Sequence, residues 1–245
     1  MNILFSPSHI PAFNLAAEEY LFFQKEEDVL LLYVNDPSVI IGSNQAIRNE
    51  VNLEFCEANN ISVIRRMSGG GAVYHDHGNL NYCFISNKVE GRSALSDDFL
   101  TPVVTVLAQL GLPVTIGHRK DLWLDKTYKI SGTASHVGKI RELHHGTLLY
   151  DANLERLETA LHPKMIDTTI KAIPSVRSTV KNMRTWLDEH SNSTLEPEAF
   201  FALLTKKFQH LLQVNELPRF SNDELSAIHT LALTKYVSED WTFRK

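Results

Sequence analysis

The feature that most constrains this chain is a run of three glycines, at residues 69–71, between two segments with the composition of β-strands. Residues 61–64 precede it and residues 72–74 follow it, and both carry β-branched or aromatic side chains. Consecutive glycines remove every Cβ atom, so the backbone N–H groups of the turn can form a concave site for an anion. Arg65 and Arg66 enter this turn with two positive charges. The stretch therefore predicts a site for an anionic, phosphate-bearing ligand.

The two common phosphate-binding motifs do not match this stretch. The dinucleotide fingerprint Gly-x-Gly-x-x-Gly must open a helix, whereas residues 72–74 indicate a strand. The P-loop requires Gly-Lys-Ser/Thr after its glycines, and no such sequence follows here. The triplet alone leaves open a glycine-rich hairpin with a solvated arginine pair. The flanking charges and a second stretch further along the chain favour another nucleotide-binding design.

Composition narrows the class of protein. The chain has 245 residues, 43% of them hydrophobic, which is enough for a sizeable core. Its net charge of −5 disfavours non-specific binding along nucleic acid. The two cysteines, Cys56 and Cys83, are too few for a disulfide framework and suit a reducing compartment. The amino terminus lacks a basic region and no apolar run is long enough to span a membrane, so we expect a cytoplasmic protein with no membrane partner.

The order of predicted elements indicates one α/β (α+β) domain over residues 1–245, with a mixed, largely antiparallel sheet flanked by helices. Asn14 is predicted as the N-cap of the first helix. Residues 29–34 and 39–42 are joined by a short turn, which predicts an antiparallel pair of strands. Pro197 is predicted to occupy the first turn of a long helix.

The second informative stretch is the pair of strand-like runs at residues 121–124 and 128–134, joined by a three-residue turn. On the second run, Lys129 and Ser131 face the side opposite to Ile130 and its neighbour at position 128. A lysine between apolar neighbours, followed by small residues, places a cation beside open space. A solvated strand lysine is the simpler alternative if this run is considered alone.

Together the two stretches resemble lipoate–protein ligase A and its relatives in the biotin and lipoate protein ligase superfamily. Weaker similarity extends from residues 13–16 through residues 175–178 to Trp241, so that the resemblance covers essentially the whole chain. The residues that carry the match are Arg66, the run from Ser68 to Asp76, Gly78, Asn79, Asp121, Leu122, Lys129, Ser131, Gly132 and the run from His144 to Leu149.

The resemblance implies a class II biotin/lipoate ligase-like fold and an ATP-dependent lipoate–protein ligase. Lipoate and ATP would give lipoyl-adenylate and pyrophosphate, and a lysine of a lipoyl domain would then take the acyl group. Lys129 would be the catalytic residue, a fixed cation that bridges the lipoate carboxylate and the α-phosphate. Arg66 would offset phosphate charge. The full set implied for ATP and lipoate is Arg66, Ser68, Gly69, Gly70, Gly71, Ala72, Val73, Tyr74, His75, Asn79, Asp121, Lys129, Ser131, Gly132 and His145.

The resemblance also implies partners and a metal. Asp121 would bind either Mg²⁺ or the adenylate. The acceptor proteins would be the lipoyl domains of 2-oxoacid dehydrogenase E2 subunits and the glycine cleavage H protein. Larger family members carry a small carboxy-terminal domain after a segment like the one around Trp241, and this sequence stops there. We therefore expect a catalytic domain without that accessory domain, which would need a separate accessory protein or use preformed lipoyl-adenylate.

Other functions remain open at the level of sequence. An octanoyl or lipoyl transferase of the same fold would use a cysteine thioester without ATP. In such enzymes the cysteine lies downstream of the lysine strand, whereas Cys56 and Cys83 both lie upstream of it. A biotin ligase has a different arginine-rich glycine loop. A non-catalytic lipoate-binding protein is the alternative from another class, and the histidines of residues 75–77 and 144–145 leave open a metal site.

Overall fold

The computed structural model describes residues 1–91, 96–170, 172–191 and 195–244. Its strands are β1 (Asn2–Phe5), β2 (Val29–Val34), β3 (Ser38–Ile41), β4 (Ser62–Arg65), β5 (Val73–His75), β6 (Asn79–Asn87), β7 (Val114–Ile116), β8 (Leu122–Leu124), β9 (Tyr128–Ser131), β10 (Thr133–Val137) and β11 (Arg141–Leu149). Its helices are α1 (Pro11–Gln24), α2 (Leu53–Ala58), α3 (Thr101–Gln109), α4 (Leu154–Ala160), α5 (Met183–His190), α6 (Pro197–Leu212), α7 (Asn222–Leu231) and α8 (Glu239–Thr242), with a π-helical turn at Ala232–Tyr236.

The strands form three sheets. The largest has the order β1-β2-β6-β11-β10, in which β1 and β2 are parallel and every other pair is antiparallel. A second sheet has the order β4-β3-β5, and the third is the antiparallel meander β7-β8-β9. The predicted class, a mixed and largely antiparallel α/β fold flanked by helices, is confirmed. Within it, the glycine triplet lies in the loop from β4 to β5.

Both faces of the five-stranded sheet are covered, because the strands of its centre are apolar on both sides. On β2, Leu30 and Leu32 pack with α3 and α6 in one cluster. Leu31 and Tyr33 point the other way and pack with α1, α7 and the π-helical turn in a second cluster. A strand buried on both faces reads as a continuous apolar run rather than an alternating one. This explains why residues 29–34 could be predicted as a strand without a period of two.

Two local predictions are wrong. The first helix begins at Pro11, so Asn14 lies inside it, where its buried amide donates to the Asn35 side chain at 2.8 Å. Proline is preferred in the first helical turn because its missing N–H has no helical partner there, and it outweighs asparagine as the start signal. The predicted β2–β3 hairpin does not form either. Instead β3 lies in the second sheet, parallel to β4 and antiparallel to β5.

The turn of residues 125–127 joins β8 and β9 as an antiparallel hairpin, as predicted, with Asp125 and Lys126 in the left-handed region. Pro197 starts α6, as predicted. Cys56 and Cys83 are both buried free thiols. Among the described residues, no helix combines the length and the apolar character that a membrane crossing requires.

Candidate functional site

A cavity of about 310 Å³ opens where the β4–β5 loop, β9, β10 and β11 meet. Leu15, Tyr33 and Ile40 contribute an apolar lining from the second core cluster. Arg119 and Lys129 add positive charge to another part of the lining. The cavity therefore combines an apolar surface with cationic groups, which suits an amphipathic anion such as a carboxylic acid with an aliphatic chain.

The glycine loop is packed tightly against the neighbouring loop after β3. Gly70 has φ +85°, a conformation that favours glycine. A Cβ atom on Gly42 would lie 2.1 Å from the carbonyl oxygen of Gly70, so the two backbones approach at a distance that only glycine permits. No atom lies within 4 Å of the position a Cβ of Gly69 would take. One side of the triplet is thus fixed by close packing, and Gly69 faces open space.

Arg66 holds this loop from within. Its guanidinium is buried and donates to the carbonyl oxygens of Gly69 at 2.5 Å and Gly71 at 2.8 Å. It also donates to the Ile40 carbonyl and to the Ser68 hydroxyl, both at 3.0 Å. A guanidinium has five N–H groups. Within the described part of the chain these bonds use four of them, so one N–H is left for a ligand. Arg66 therefore shapes the glycine loop, and its predicted contact with phosphate would rest on that remaining N–H.

Arg65, its neighbour on β4, faces the other way and is fully buried. It donates to the carbonyl oxygens of Gly42 and Gln45, both at 2.8 Å, and to the carbonyl oxygen of Thr242 at 3.0 Å. The Trp241 indole in turn donates to the Arg65 carbonyl at 2.8 Å. The carboxy-terminal helix α8 is thereby tied to the strand that leads into the glycine loop.

Lys129 lies on β9 with its ammonium in the cavity. Its Nζ is 3.4 Å from Oδ2 of Asp121, and the same oxygen is 3.3 Å from a guanidinium nitrogen of Arg119. The backbone N–H of Lys129 donates to the Thr179 carbonyl at 2.9 Å, which holds the strand from its far side. Two cations share one carboxylate, so this cluster keeps a net positive charge for an anionic ligand.

Burial and the neighbouring charges have opposite effects on the pKa values of Lys129 and Asp121. Burial lowers the pKa of Lys129, and the nearby Asp121 carboxylate opposes that shift. Burial alone would raise the pKa of Asp121, but the hydrogen bond from Trp123 and the charge of Lys129 hold it below its usual value. The carboxylate is therefore ionised near neutral pH. Lys129 is a partly desolvated cation, a state in which its attraction to a bound anion is strong.

Residues 173–176 close one side of the cavity. The hydroxyl of Ser175 accepts from the backbone N–H of Ala72 at 2.9 Å and from the Gln45 side chain at 3.0 Å. The backbone N–H of Ser175 donates to Glu50 at 3.1 Å. These bonds fasten the segment to the glycine loop.

The structure brings most of the predicted site residues together. Ten of them line the cavity: Arg66, Gly70, Gly71, Ala72, Val73, His75, Asp121, Lys129, Gly132 and His145. Gly69 lines an adjoining cavity of about 210 Å³, which shares Gly70 and His145 with the first. Ser68 lies behind the loop and its hydroxyl is 2.7 Å from Nε2 of His145.

Besides Ser68, three predicted contacts line neither cavity: Tyr74, Asn79 and Ser131. Tyr74 points away from the site into the third core cluster, because alternate residues of β5 face opposite sides. Asn79 is fully buried and donates to Asn81 at 3.0 Å, while Ser131 lies 3.5 Å from the Tyr82 hydroxyl. Their geometry indicates structural roles.

Other lining residues escaped the sequence analysis. They include Tyr33 and Asn81 from the central strands and Arg119 before β8. Arg119 lies two residues before Asp121, and a cation so close to a predicted site carboxylate was a usable signal. No such signal marked Tyr33, because it lies in a run of apolar residues that is typical of a buried core strand.

Two groups of described residues bring three metal-ligating atoms within 4.8 Å of one another. His77 lies with His9 and Asp36 at the surface. His145 lies with Glu18 and Cys83 in the interior. Asp121 belongs to neither group. A divalent cation at Asp121 would therefore take its further ligands from substrate phosphates and water, as Mg²⁺ commonly does.

Comparison with known proteins agrees with this geometry. The family described as "Lipoyl protein ligase A/B catalytic domain" matches residues 10–209. Lipoate-protein ligase LplJ of Bacillus subtilis (strain 168) is 38% identical over 238 residues, which cover 95% of this chain and 70% of that protein.

Solved structures show the same likeness. One is a bi-partite lipoate protein ligase, described with its E2 lipoyl domain, from Thermoplasma acidophilum. It superposes with a TM-score of 0.80 at 28% identity, covering 99% of this chain and 95% of that chain. A lipoate-protein ligase A bound with ATP gives a TM-score of 0.79 at 26% identity, covering 99% and 98%. By sequence and by fold, this chain belongs to the lipoyl protein ligase A/B catalytic domain family.

Proposed function

We propose that this chain is an ATP-dependent lipoate–protein ligase that forms lipoyl-adenylate and transfers the lipoyl group to a lysine of a lipoyl domain. The observation that carries the proposal is the cavity in which the glycine loop, an apolar lining and the Lys129–Arg119 cations meet. The similarity of the chain to ligases named for lipoate, and to a ligase bound with ATP, supports lipoate and ATP as its substrates.

The chemistry follows from the charges on the substrates. In the first step a lipoate carboxylate oxygen attacks the α-phosphorus of ATP, and the bond to pyrophosphate breaks. In the second step a lysine amine attacks the acyl carbonyl carbon, loses a proton, and AMP leaves. Negative charge sits between the carboxylate and the α-phosphate in both steps. A fixed ammonium at that point stabilises both transition states without forming a covalent bond.

We assign that ammonium to Lys129. Its ammonium lies beside the Asp121 carboxylate and its backbone N–H is bound by the Thr179 carbonyl, so little reorganisation is needed when charge develops. The apolar lining at Leu15, Tyr33 and Ile40 would take the aliphatic chain and dithiolane ring of lipoate. The glycine loop would present its backbone to the adenylate.

Mg²⁺ is part of the proposal, with Asp121 as the protein ligand. The carboxylate is ionised and lines the cavity, which fits a hard cation that prefers oxygen ligands. When bound, the ion would neutralise charge on the phosphates. The same carboxylate would continue to position Lys129, which lies 3.4 Å away.

We infer that the acceptors include E2 lipoyl domains and the glycine cleavage H protein, and that a separate accessory protein assists adenylation. The E2 lipoyl domains and the accessory protein are supported by the Thermoplasma ligase, which is described as bi-partite and with its E2 lipoyl domain. We also infer that residues 1–245 act as one catalytic domain. A cytoplasmic location is part of the proposal, supported by two cysteines that are both free.

The test uses the purified chain with lipoate, Mg-ATP and an apo lipoyl domain. Pyrophosphate release reports adenylation, and mass spectrometry reports one lipoyl group on one lysine of the acceptor. A parallel reaction supplies preformed lipoyl-adenylate in place of lipoate and ATP. Activity in both reactions supports a ligase that adenylates lipoate without an accessory protein, and activity only with preformed adenylate supports the need for one. Failure of both reactions contradicts the proposed function.

A further inference from the structure

A buried chain of hydrogen bonds runs from helix α1 to the glycine loop. Glu18 on α1 is 1% exposed, and its carboxylate accepts from the Tyr33 hydroxyl at 2.9 Å. The two carboxylate oxygens lie 2.8 and 3.0 Å from Nδ1 of His145. On the other side of that ring, Nε2 is 2.7 Å from the Ser68 hydroxyl, which accepts from Nε of Arg66 at 3.0 Å. Glu18 itself lines neither cavity, so it would act only through His145.

The two ends of this chain fix the direction of every bond in it. An ionised carboxylate only accepts hydrogen bonds and a guanidinium only donates them. Nδ1 of His145 must therefore carry the proton that faces Glu18. In that tautomer Nε2 is an acceptor, so the Ser68 hydroxyl donates its hydrogen to Nε2 of His145 while its oxygen accepts from Nε of Arg66. The chain thus contains one tautomer of His145 and one orientation of the Ser68 hydroxyl.

The opposite tautomer would break the chain at its Glu18 end and reverse the hydrogen bond at its Ser68 end. A proton on Nε2 would bring a second donor, beside Nε of Arg66, onto the Ser68 oxygen, and the Ser68 hydrogen would lose Nε2 as its acceptor. The bare Nδ1 would then face the Glu18 carboxylate, placing two lone pairs 2.8 Å apart in the interior. Arg66 also donates to the carbonyl oxygens of Gly69 and Gly71. A change in the position of the Ser68 hydroxyl would therefore shift Arg66 and, with it, the glycine triplet.

We propose that Glu18 is a positioning residue, which fixes the Nδ1–H tautomer of His145 and thereby holds the Ser68 hydroxyl and the glycine loop in their ligand-binding shape. The proposal rests on the proposed function for its effect on lipoate, because the loop is taken to bind that substrate. The tautomer itself can be measured without any activity. A second-shell carboxylate that orients a functional imidazole is a familiar device, known from metal-bound histidines.

The first experiment measures the tautomer by ¹⁵N-detected imidazole correlation spectra, with the His145 signals assigned by comparison with His145→Gln. In the wild-type protein we expect a protonated Nδ1 and an unprotonated Nε2. Glu18→Gln has the same shape but can also donate through its amide, so it should allow the other tautomer to appear. Ser68→Ala should keep the wild-type tautomer, since Glu18 remains. A wild-type ring protonated on Nε2 overturns the proposal without any variant.

The matched control is Glu19→Gln, on the same helix. Glu19 is a partly buried carboxylate, and it accepts from Lys235 at 2.6 Å and from the Tyr236 hydroxyl at 2.5 Å. It faces the carboxy-terminal helices and not the cavity. This variant should lower the melting temperature while leaving the His145 tautomer and the KM for lipoate unchanged.

The second experiment compares KM for lipoate in the pyrophosphate assay. We expect Glu18→Gln and Ser68→Ala to raise it on the order of tenfold, a change typical for one lost buried hydrogen bond, with a smaller effect on kcat. If the wild-type protein neither releases pyrophosphate nor transfers the acyl group from preformed lipoyl-adenylate, the proposed function fails and the spectra still test the network. If the wild-type protein is active and Glu18→Gln keeps both the tautomer and a KM within about twofold of wild type, the positioning role is refuted.

Discussion

Removing the Lys129 ammonium is the perturbation that tests the proposed chemistry most directly. A unit charge about 4 Å from a developing negative charge contributes about 4 kcal/mol at an effective dielectric constant of about 20. Asp121, at 3.4 Å from the ammonium, screens part of this interaction. We therefore expect Lys129→Ala to lose about 3 kcal/mol of transition-state stabilisation, which corresponds to a rate reduced on the order of a hundredfold.

The same substitution should change the stability of the fold little. Burial lowers the pKa of Lys129 despite the opposing charge of Asp121. Burying the charged lysine therefore destabilises the folded protein more than its ion pair with Asp121 stabilises it. Asp121 keeps Arg119 at 3.3 Å after the change. The free energy of unfolding should therefore shift by less than about 1 kcal/mol. Lys129→Arg should restore little activity, because a planar guanidinium is wider than an ammonium and offers a different geometry.

The assay measures two rates on each variant: adenylate formation, by pyrophosphate release, and transfer from preformed lipoyl-adenylate to an apo lipoyl domain. Lys126→Ala is the matched control, because Lys126 belongs to the same β8–β9 hairpin but is exposed at its turn. Circular dichroism and urea unfolding establish that each variant is folded. If both rates of Lys129→Ala stay within about threefold of wild type, the electrostatic mechanism is refuted.

Further outcomes follow from burial and packing. Burial lowers the pKa of His75 to about 3, so between about pH 6.5 and pH 3 the unfolded chain binds a proton that the folded His75 does not. Urea unfolding should show that His75→Gln removes about 2 kcal/mol of the stability lost from pH 7 to pH 5, and an unchanged pH dependence would contradict this. Gly42→Ala should raise KM for lipoate several-fold, on the order of one lost packing contact, because its Cβ would displace the glycine loop; an unchanged KM would contradict this. Burial raises the pKa of Cys56 to about 11 and that of Cys83 well above its usual value, so neither thiol is a ready nucleophile. The double change to alanine should therefore keep acyl transfer. An acyl-thioester trapped on either cysteine would argue for the transferase chemistry.

The parts of the site that the sequence predicted are those whose local composition is unusual. Three glycines in a row between two strands leave the backbone open to a ligand, although the triplet alone is also compatible with a glycine-rich hairpin. Lys129 was singled out because alternation along its strand places the ammonium on the less filled side, and the resemblance to lipoate–protein ligases favoured a site cation over a solvated strand lysine. Both signals lie within a few residues, so no knowledge of the tertiary fold was needed.

The parts that escaped depend on contacts between distant segments. Glu18 lies 127 residues before His145 and stands beside Glu19 in an ordinary helical sequence. Only the packing of α1 on the central sheet decides which of the two glutamates contacts His145. The missed β2–β3 topology has a similar cause. A short link permits a hairpin, but β3 is buried on both faces and gains more by pairing with β4 and β5 in a separate sheet.

The two adjacent arginines show why charge in a motif does not by itself identify a ligand contact. Arg65 and Arg66 point to opposite sides of β4, and each spends most of its donors on backbone carbonyls. Arg65 braces the loop that contains Gly42, against which the carbonyl of Gly70 packs, while Arg66 holds the triplet from within. Substituting either arginine would therefore disturb the assembly of the loop together with any ligand it binds. Lys129 has its ammonium beside one carboxylate and is held by its backbone, so its removal separates chemistry from loop assembly.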